Sequence, residues 1–189
     1  GVRLAQSGYT VGVIPSTTFE EATSDLKSWV KQRSRWIKGY MQTWLVHMRS
    51  PIQLWRSLGT AGFLSFQAFI GLPPFTVLIN PILWLLTLLF ATSALGVTDW
   101  RLPEPFGALA LFNLVIGNLL LLYFGTIACL KRGFYDLLPS GLLMPLYWVL
   151  HSVAAYKALW QLLHNPHHWE KTEHGKSQPS ARLLEKMAA

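Results

Sequence analysis

The chain has 189 residues, 51% of them hydrophobic and only 13% charged, with nine tryptophans and a mean hydropathy of +0.31. That balance excludes an ordinary soluble domain and fits an integral membrane protein. The formal net charge of +7 is concentrated before residue 57 and after residue 130, which suits juxtamembrane charge better than a nucleic-acid groove. The single cysteine, Cys129, excludes both a disulfide framework and a thiolate metal cluster.

In chain order, Gly1 to Ser7 reads as a helix end with Gly8 in the left-handed closing position, and Tyr9 to Ile14 favours a strand leading to Pro15. Two elements this short bury no core. Residues 1–23 are therefore expected to be the tail of a larger α/β domain, and the chain a C-terminal piece of a longer protein. Ser16 to Thr23 is polar connection, in which Glu20 and Glu21 read as a solvated loop before a functional acidic pair.

Residues 24–50 read as one continuous helix. Ser24 can cap its start, Asp25 suits its positive end, and the Ser50-Pro51 step stops it. Leu26, Trp29, Val30, Ile37, Tyr40, Met41, Trp44 and Met48 share an apolar stripe, with Arg33 inside it. Gln32, Arg35, Trp36 and Gly39 run on nearly the opposite side. Lys27, Lys31 and Lys38 fall on a flank between, where cations meet anionic headgroups if the stripe rests on a bilayer.

Residues 51–72 begin amphipathic at Leu54, Trp55 and Leu58 and turn apolar from Phe63, with Leu72-Pro73-Pro74 as a break. Residues 73–163 form the membrane region, with crossings predicted at about 75–95, 106–130 and 137–160. The third carries His151 and Lys157. A further crossing over Phe63 to Ile79 makes four and puts the tail on the side of the 24–50 helix, whereas three put it opposite; the positive-inside rule rewards both. Gln67, Asn113 and Asn118 suit helix packing or a polar path. Residues 164–189 form a basic tail. Its opening, His164 to Gly175, holds four histidines and two glutamates, but the histidine spacing fits no compact zinc pattern.

Gln32-Arg33-Ser34-Arg35-Trp36 matches the Q-x-x-R-W signature of processive family 2 glycosyltransferases. The order that follows, from signature helix to surface segment, proline-marked entry and crossings, resembles the C-terminal part of a bacterial cellulose-synthase-like polysaccharide synthase over about Gly1 to Leu163. Trp169 to Gly175 resembles a late motif of related synthases. The fold implied is mainly α and integral to the membrane, with the remnant of an α/β (GT-A-like) catalytic domain, interface helices and three to four transmembrane helices.

The resemblance implies an inverting hexosyltransferase that extends a polysaccharide from a cytosolic nucleotide sugar in the bacterial cytoplasmic (inner) membrane, with the interface helix on the cytosolic side. It places Gln32 and Arg35 on the nucleotide diphosphate and Trp36 under the acceptor sugar. It makes Trp169, Lys171, Thr172 and His174 a gating loop. A divalent cation, Mg or Mn, is implied on the donor. The only aspartates, Asp25, Asp99 and Asp136, form no D-x-D pair, so cation ligands and catalytic base are expected upstream and these residues alone to be inactive. Expected partners are the nucleotide sugar, a glycan acceptor, membrane lipids and export or assembly subunits, not nucleic acid. The alternative is a non-enzymatic membrane transport or assembly subunit whose basic amphipathic helix binds lipid.

Overall fold

A computed structural model of the chain describes residues 1–14, 16, 23, 25–99 and 103–171. Their regular structure is entirely helical, and the chain divides into two units: Gly1–Pro74 together with the chain from Ala154 onward, and Phe75–Val153.

The first unit opens with α1 (Val2–Gln6), followed by Gly8 at φ 82, the left-handed position expected of it. The strand predicted over Tyr9–Ile14 is not formed. That stretch is irregular and exposed, Val13 at 97%. Among the described residues no second strand lies beside it, and an unpaired strand satisfies none of its backbone groups. Glu20, Glu21 and Ser24 lie outside the described residues.

Helix α2 (Leu26–His47) contains no proline and ends three residues before Ser50, as the Ser50-Pro51 step predicts. Asp25 itself is the N-cap, its carboxylate accepting the Ser28 N–H at 2.8 Å. Helix α3 (Pro51–Phe66) is kinked at Gly59, whose φ of 70 and ψ of 174 suit glycine alone. Gln6 Nε2 donates to Ser57 Oγ at 3.1 Å and ties α1 to this helix.

The break predicted at Leu72-Pro73-Pro74 does not occur. A π-helical turn over Gln67–Gly71 leads directly into α4 (Leu72–Ala94), and the Leu72 N–H reaches back to the Gln67 carbonyl. At the start of a new helical run the missing proline N–H groups cost little. Gln67 serves packing. Its Oε1 accepts the Trp44 indole N–H at 2.8 Å, and its amide approaches Met48 Sδ at 3.1 Å. Gly71 makes room for that indole, since a Cβ there would stand 2.6 Å from Trp44 Nε1.

The second unit holds the rest of α4, α5 (Glu104–Phe112), a π-helical turn at Asn113–Gly117, α6 (Asn118–Arg132), a 3-10 turn at Tyr135–Leu137, α7 (Leu138–Gly141) and the start of α8 (Met144–His164). Gly133 at φ 68 closes α6. Small residues make the contacts here. Ala110 is fully buried, Thr87 Oγ1 donates to the Leu83 carbonyl and approaches that of Ala110 at 3.4 Å, and Ser152 Oγ donates to the Val77 carbonyl at 2.7 Å. Large apolar side chains such as Phe75, Leu88, Phe112 and Phe124 face outward.

Among the described residues, two helical stretches are long and apolar enough to cross a membrane, Pro51–Ala94 and Pro105–Arg132. Tyr135–Gly141 with Met144–His164, bent by 67°, makes a third if taken as one span. Residues 63–79, considered for a fourth crossing, lie inside the continuous 51–94 stretch and form no separate helix. Helical spans of this kind suit a membrane location.

Candidate functional site

Helix α2 carries the signature, and its surroundings within the first unit define the candidate site. The most buried positions along it are Ser34, Lys38 and Met41, at i, i+4 and i+7. Met41 belongs to the predicted apolar stripe, but Ser34 and Lys38 do not, and Leu26 and Tyr40 of that stripe are exposed. The reason is what covers the helix. Beyond α8, residues Asn165–Lys171 form a strap laid along α2, and backbone carbonyls require donors rather than methyl groups.

Three α2 side chains supply those donors. Gln42 Nε2 donates to the Pro166 carbonyl at 2.8 Å. Lys38 Nζ donates to the Asn165 and His168 carbonyls at 2.8 and 2.7 Å. Arg35 Nη1 donates to the Glu170 carbonyl at 3.0 Å, and its guanidinium lies 5.5 Å from the centre of the Trp169 ring. The lysine flank expected to meet lipid headgroups thus turns partly inward: Lys38 is 1% exposed, and Lys31 contributes charge beside Glu170.

Glu170 closes the strap from the other side. Its carboxylate forms an ion pair with Lys157 Nζ of α8 at 2.7 Å, which gives the charge in that apolar helix a partner. Burial raises the Glu170 pKa, but hydrogen bonds from Lys157 and Gln161 and the charges of Lys157 and Lys31 outweigh it, leaving the carboxyl below its ordinary value of 4.5.

The other sites predicted from sequence distribute unevenly. Gln32 is half-buried on the same helix. Trp36 lies about 100° round the helix from Arg35 and is 44% exposed, with the Arg33 guanidinium 4.5 Å from its ring centre. Arg33 also faces Trp29 at 5.6 Å, so it stacks between two indoles rather than sitting passively in an apolar stripe. Trp169 and Lys171 are exposed, with Trp169 brought to Arg35. Thr172 and His174 lie outside the described residues. Among the described residues no three His, Cys, Asp or Glu side chains converge, so the expected divalent cation finds no ligand set there.

Sequence reasoning missed Gln42 and read Lys38 as a lipid-facing cation. The available signal was their spacing: with Arg35 they stand at i, i+3 and i+7, one side of one helix.

No curated protein and no solved structure matches the chain. A family model described as Glycosyl transferase family group 2 matches residues 1–164, from α1 to the last residue of α8. That family implies sugar transfer between a nucleotide-sugar donor and an acceptor in general terms. With the signature helix and most of the chain's length covered by that match, the protein belongs to Glycosyl transferase family group 2.

Proposed function

We propose that this chain is the membrane-side part of a processive, inverting, cellulose-synthase-like hexosyltransferase acting at the bacterial cytoplasmic membrane. In this reading Gln32 and Arg35 hold the diphosphate of the donor, Trp36 carries the acceptor sugar, and the strap with the W-E-K-T-E-H-G stretch closes over the donor. The observation that supports it most is the meeting of Arg35 with Trp169 and Glu170, two sequence motifs far apart in the chain. A guanidinium fork is suited to phosphate oxygens and to the charge that collects on a departing diphosphate.

The reaction is an in-line displacement. An acceptor hydroxyl oxygen bonds to the anomeric carbon, the bond from that carbon to the diphosphate oxygen breaks, and the electron pair leaves with the diphosphate. The hydroxyl proton passes to a carboxylate base supplied outside these residues. A divalent cation, if bound on the donor phosphates, would offset the charge of the leaving diphosphate; the described residues form no ligand set for it. Trp36 offers an exposed indole face on which the apolar side of a sugar ring can stack, with Arg33 backing it. Export of the growing glycan past the apolar helices, with assembly subunits, completes the proposal.

The test uses the complete membrane protein. Trp36→Ala should abolish glycan extension while the protein remains membrane-inserted. Normal product from that variant contradicts the acceptor role. Lys171→Ala should slow turnover, and wild-type kinetics in that variant remove the closing role of the strap.

A further inference from the structure

Lys38 lies outside the Q-x-x-R-W signature, yet among the described residues it is the largest fully buried side chain. No carboxylate pairs with it among them. A buried ammonium is unfavourable unless its protons and charge are met. Here two of its three protons go to carbonyls just past the end of α8, at 2.8 and 2.7 Å, where the helix dipole gathers negative partial charge. The Asn165 carbonyl also accepts the His168 N–H at 3.1 Å, closing a turn around Pro166, which cannot continue the helix. An apolar side chain of equal length would fill the space and leave both carbonyls without this donor.

The strap runs antiparallel to α2, with Pro166 on Gln42, Asn165 and His168 on Lys38, and Glu170 on Arg35. These three contacts differ in kind. Lys38 is sealed in and Gln42 is half-covered, whereas at the strap's far end Arg35, with a five-donor fork, and the partly exposed Lys157–Glu170 ion pair can both change partners.

We propose that Lys38, with Gln42 beside it, is a positioning residue that fixes the hinge of the strap, so that Trp169–Lys171 moves about a fixed end when Arg35 exchanges the Glu170 carbonyl for donor diphosphate. The proposal rests on the reading of Arg35 as a donor-binding residue. A fixed hinge keeps the released end within reach of the loaded site, where its return excludes water from the donor. An unfixed strap lowers donor affinity and lets water compete with the acceptor.

The test compares the complete protein in lipid nanodiscs with Lys38→Met, Lys38→Arg and Gln42→Leu, by hydrogen exchange and by donor kinetics. In Lys38→Met the amides of 168–171 should exchange roughly tenfold faster while α2 stays protected, and the donor KM should rise roughly tenfold, more than kcat falls. The ratio of donor hydrolysed to sugar transferred should increase. Lys38→Arg, which keeps charge and donors, should restore most of the wild-type behaviour. Gln42→Leu should move the same readouts by about threefold, and it carries the test if Lys38→Met does not assemble.

Unchanged exchange at 168–171 and an unchanged KM, in Lys38→Met or in Gln42→Leu standing in for it, overturn the proposal. Faster exchange in the variants together with no nucleotide-sugar turnover by the wild type overturns the donor-site reading instead, and leaves Lys38 as a structural clamp only.

Discussion

Each of the two units is held together internally, and by opposite chemistry. In the first, α2 grips the strap through side-chain donors to backbone carbonyls, a buried lysine and the Lys157–Glu170 pair. In the second, contacts are made by Gly, Ala, Ser and Thr: Gly107 lies against Phe90, Gly125 near Met144, and Ser152 on the Val77 carbonyl. Apolar surface then points outward. Where lipid surrounds a helix, burying methyl groups gains little and close backbone approach decides packing. Where a segment's backbone is laid on a helix, charge-assisted hydrogen bonds to its carbonyls give it a defined register.

The contrast can be broken most severely at Arg35. Arg35→Ala in the complete enzyme should lower sugar transfer by roughly 100- to 1,000-fold, and near-normal transfer would remove the docking region from the chemistry. A smaller effect is expected in the second unit. Gly107→Ile pushes side-chain atoms into the Phe90 ring, since even a Cβ would stand 3.0 Å from it. It should destabilise the unit by about 1–3 kcal/mol, seen as a lower unfolding temperature in detergent. Hydrogen exchange at the strap should stay unchanged.

The ion pair sharpens the comparison through pH. The depressed Glu170 carboxyl contributes stability that is fully present above its ordinary value of 4.5 and lost as pH falls through the lower folded value. Spin labels at Leu45→Cys and His167→Cys, in a chain lacking Cys129, should report a docked strap from neutral pH to about 4.5 and a broadening distance distribution below it. Glu170→Gln should weaken docking by about 1 kcal/mol and remove that pH dependence. The smallest effect is expected from Ser152→Ala, about 0.6 kcal/mol on unfolding, because its hydroxyl has a local partner in Trp148 as well as Val77.

How far the sequence reached depended on the range of the interaction. The end of α2 was legible because a Ser-Pro step acts within a few residues, and Gly8 and the long apolar stretches were legible for the same reason; the cap was read at Ser24, one residue before the Asp25 that caps the helix. The strand over Tyr9–Ile14 was not, since β propensity needs a neighbouring strand to become structure. Pro73 and Pro74 read as a break because the π-helical turn that precedes them, and lets them fall in the first turn of α4, leaves no composition signal. Lys38 read as a lipid-facing cation because its partners are backbone carbonyls over a hundred residues away, and carbonyls carry no letter in a sequence. Arg35 was singled out by its motif, but its contact with Trp169 required the fold.

The central claim is that α2 divides donor and acceptor between neighbouring residues, and nucleoside diphosphate binding to the complete protein tests it most directly. Calorimetric titration should show Arg35→Ala binding at least about tenfold more weakly than wild type, with Trp36→Ala binding as wild type does. Equal affinity in wild type and Arg35→Ala, or a loss in Trp36→Ala alone, would contradict it.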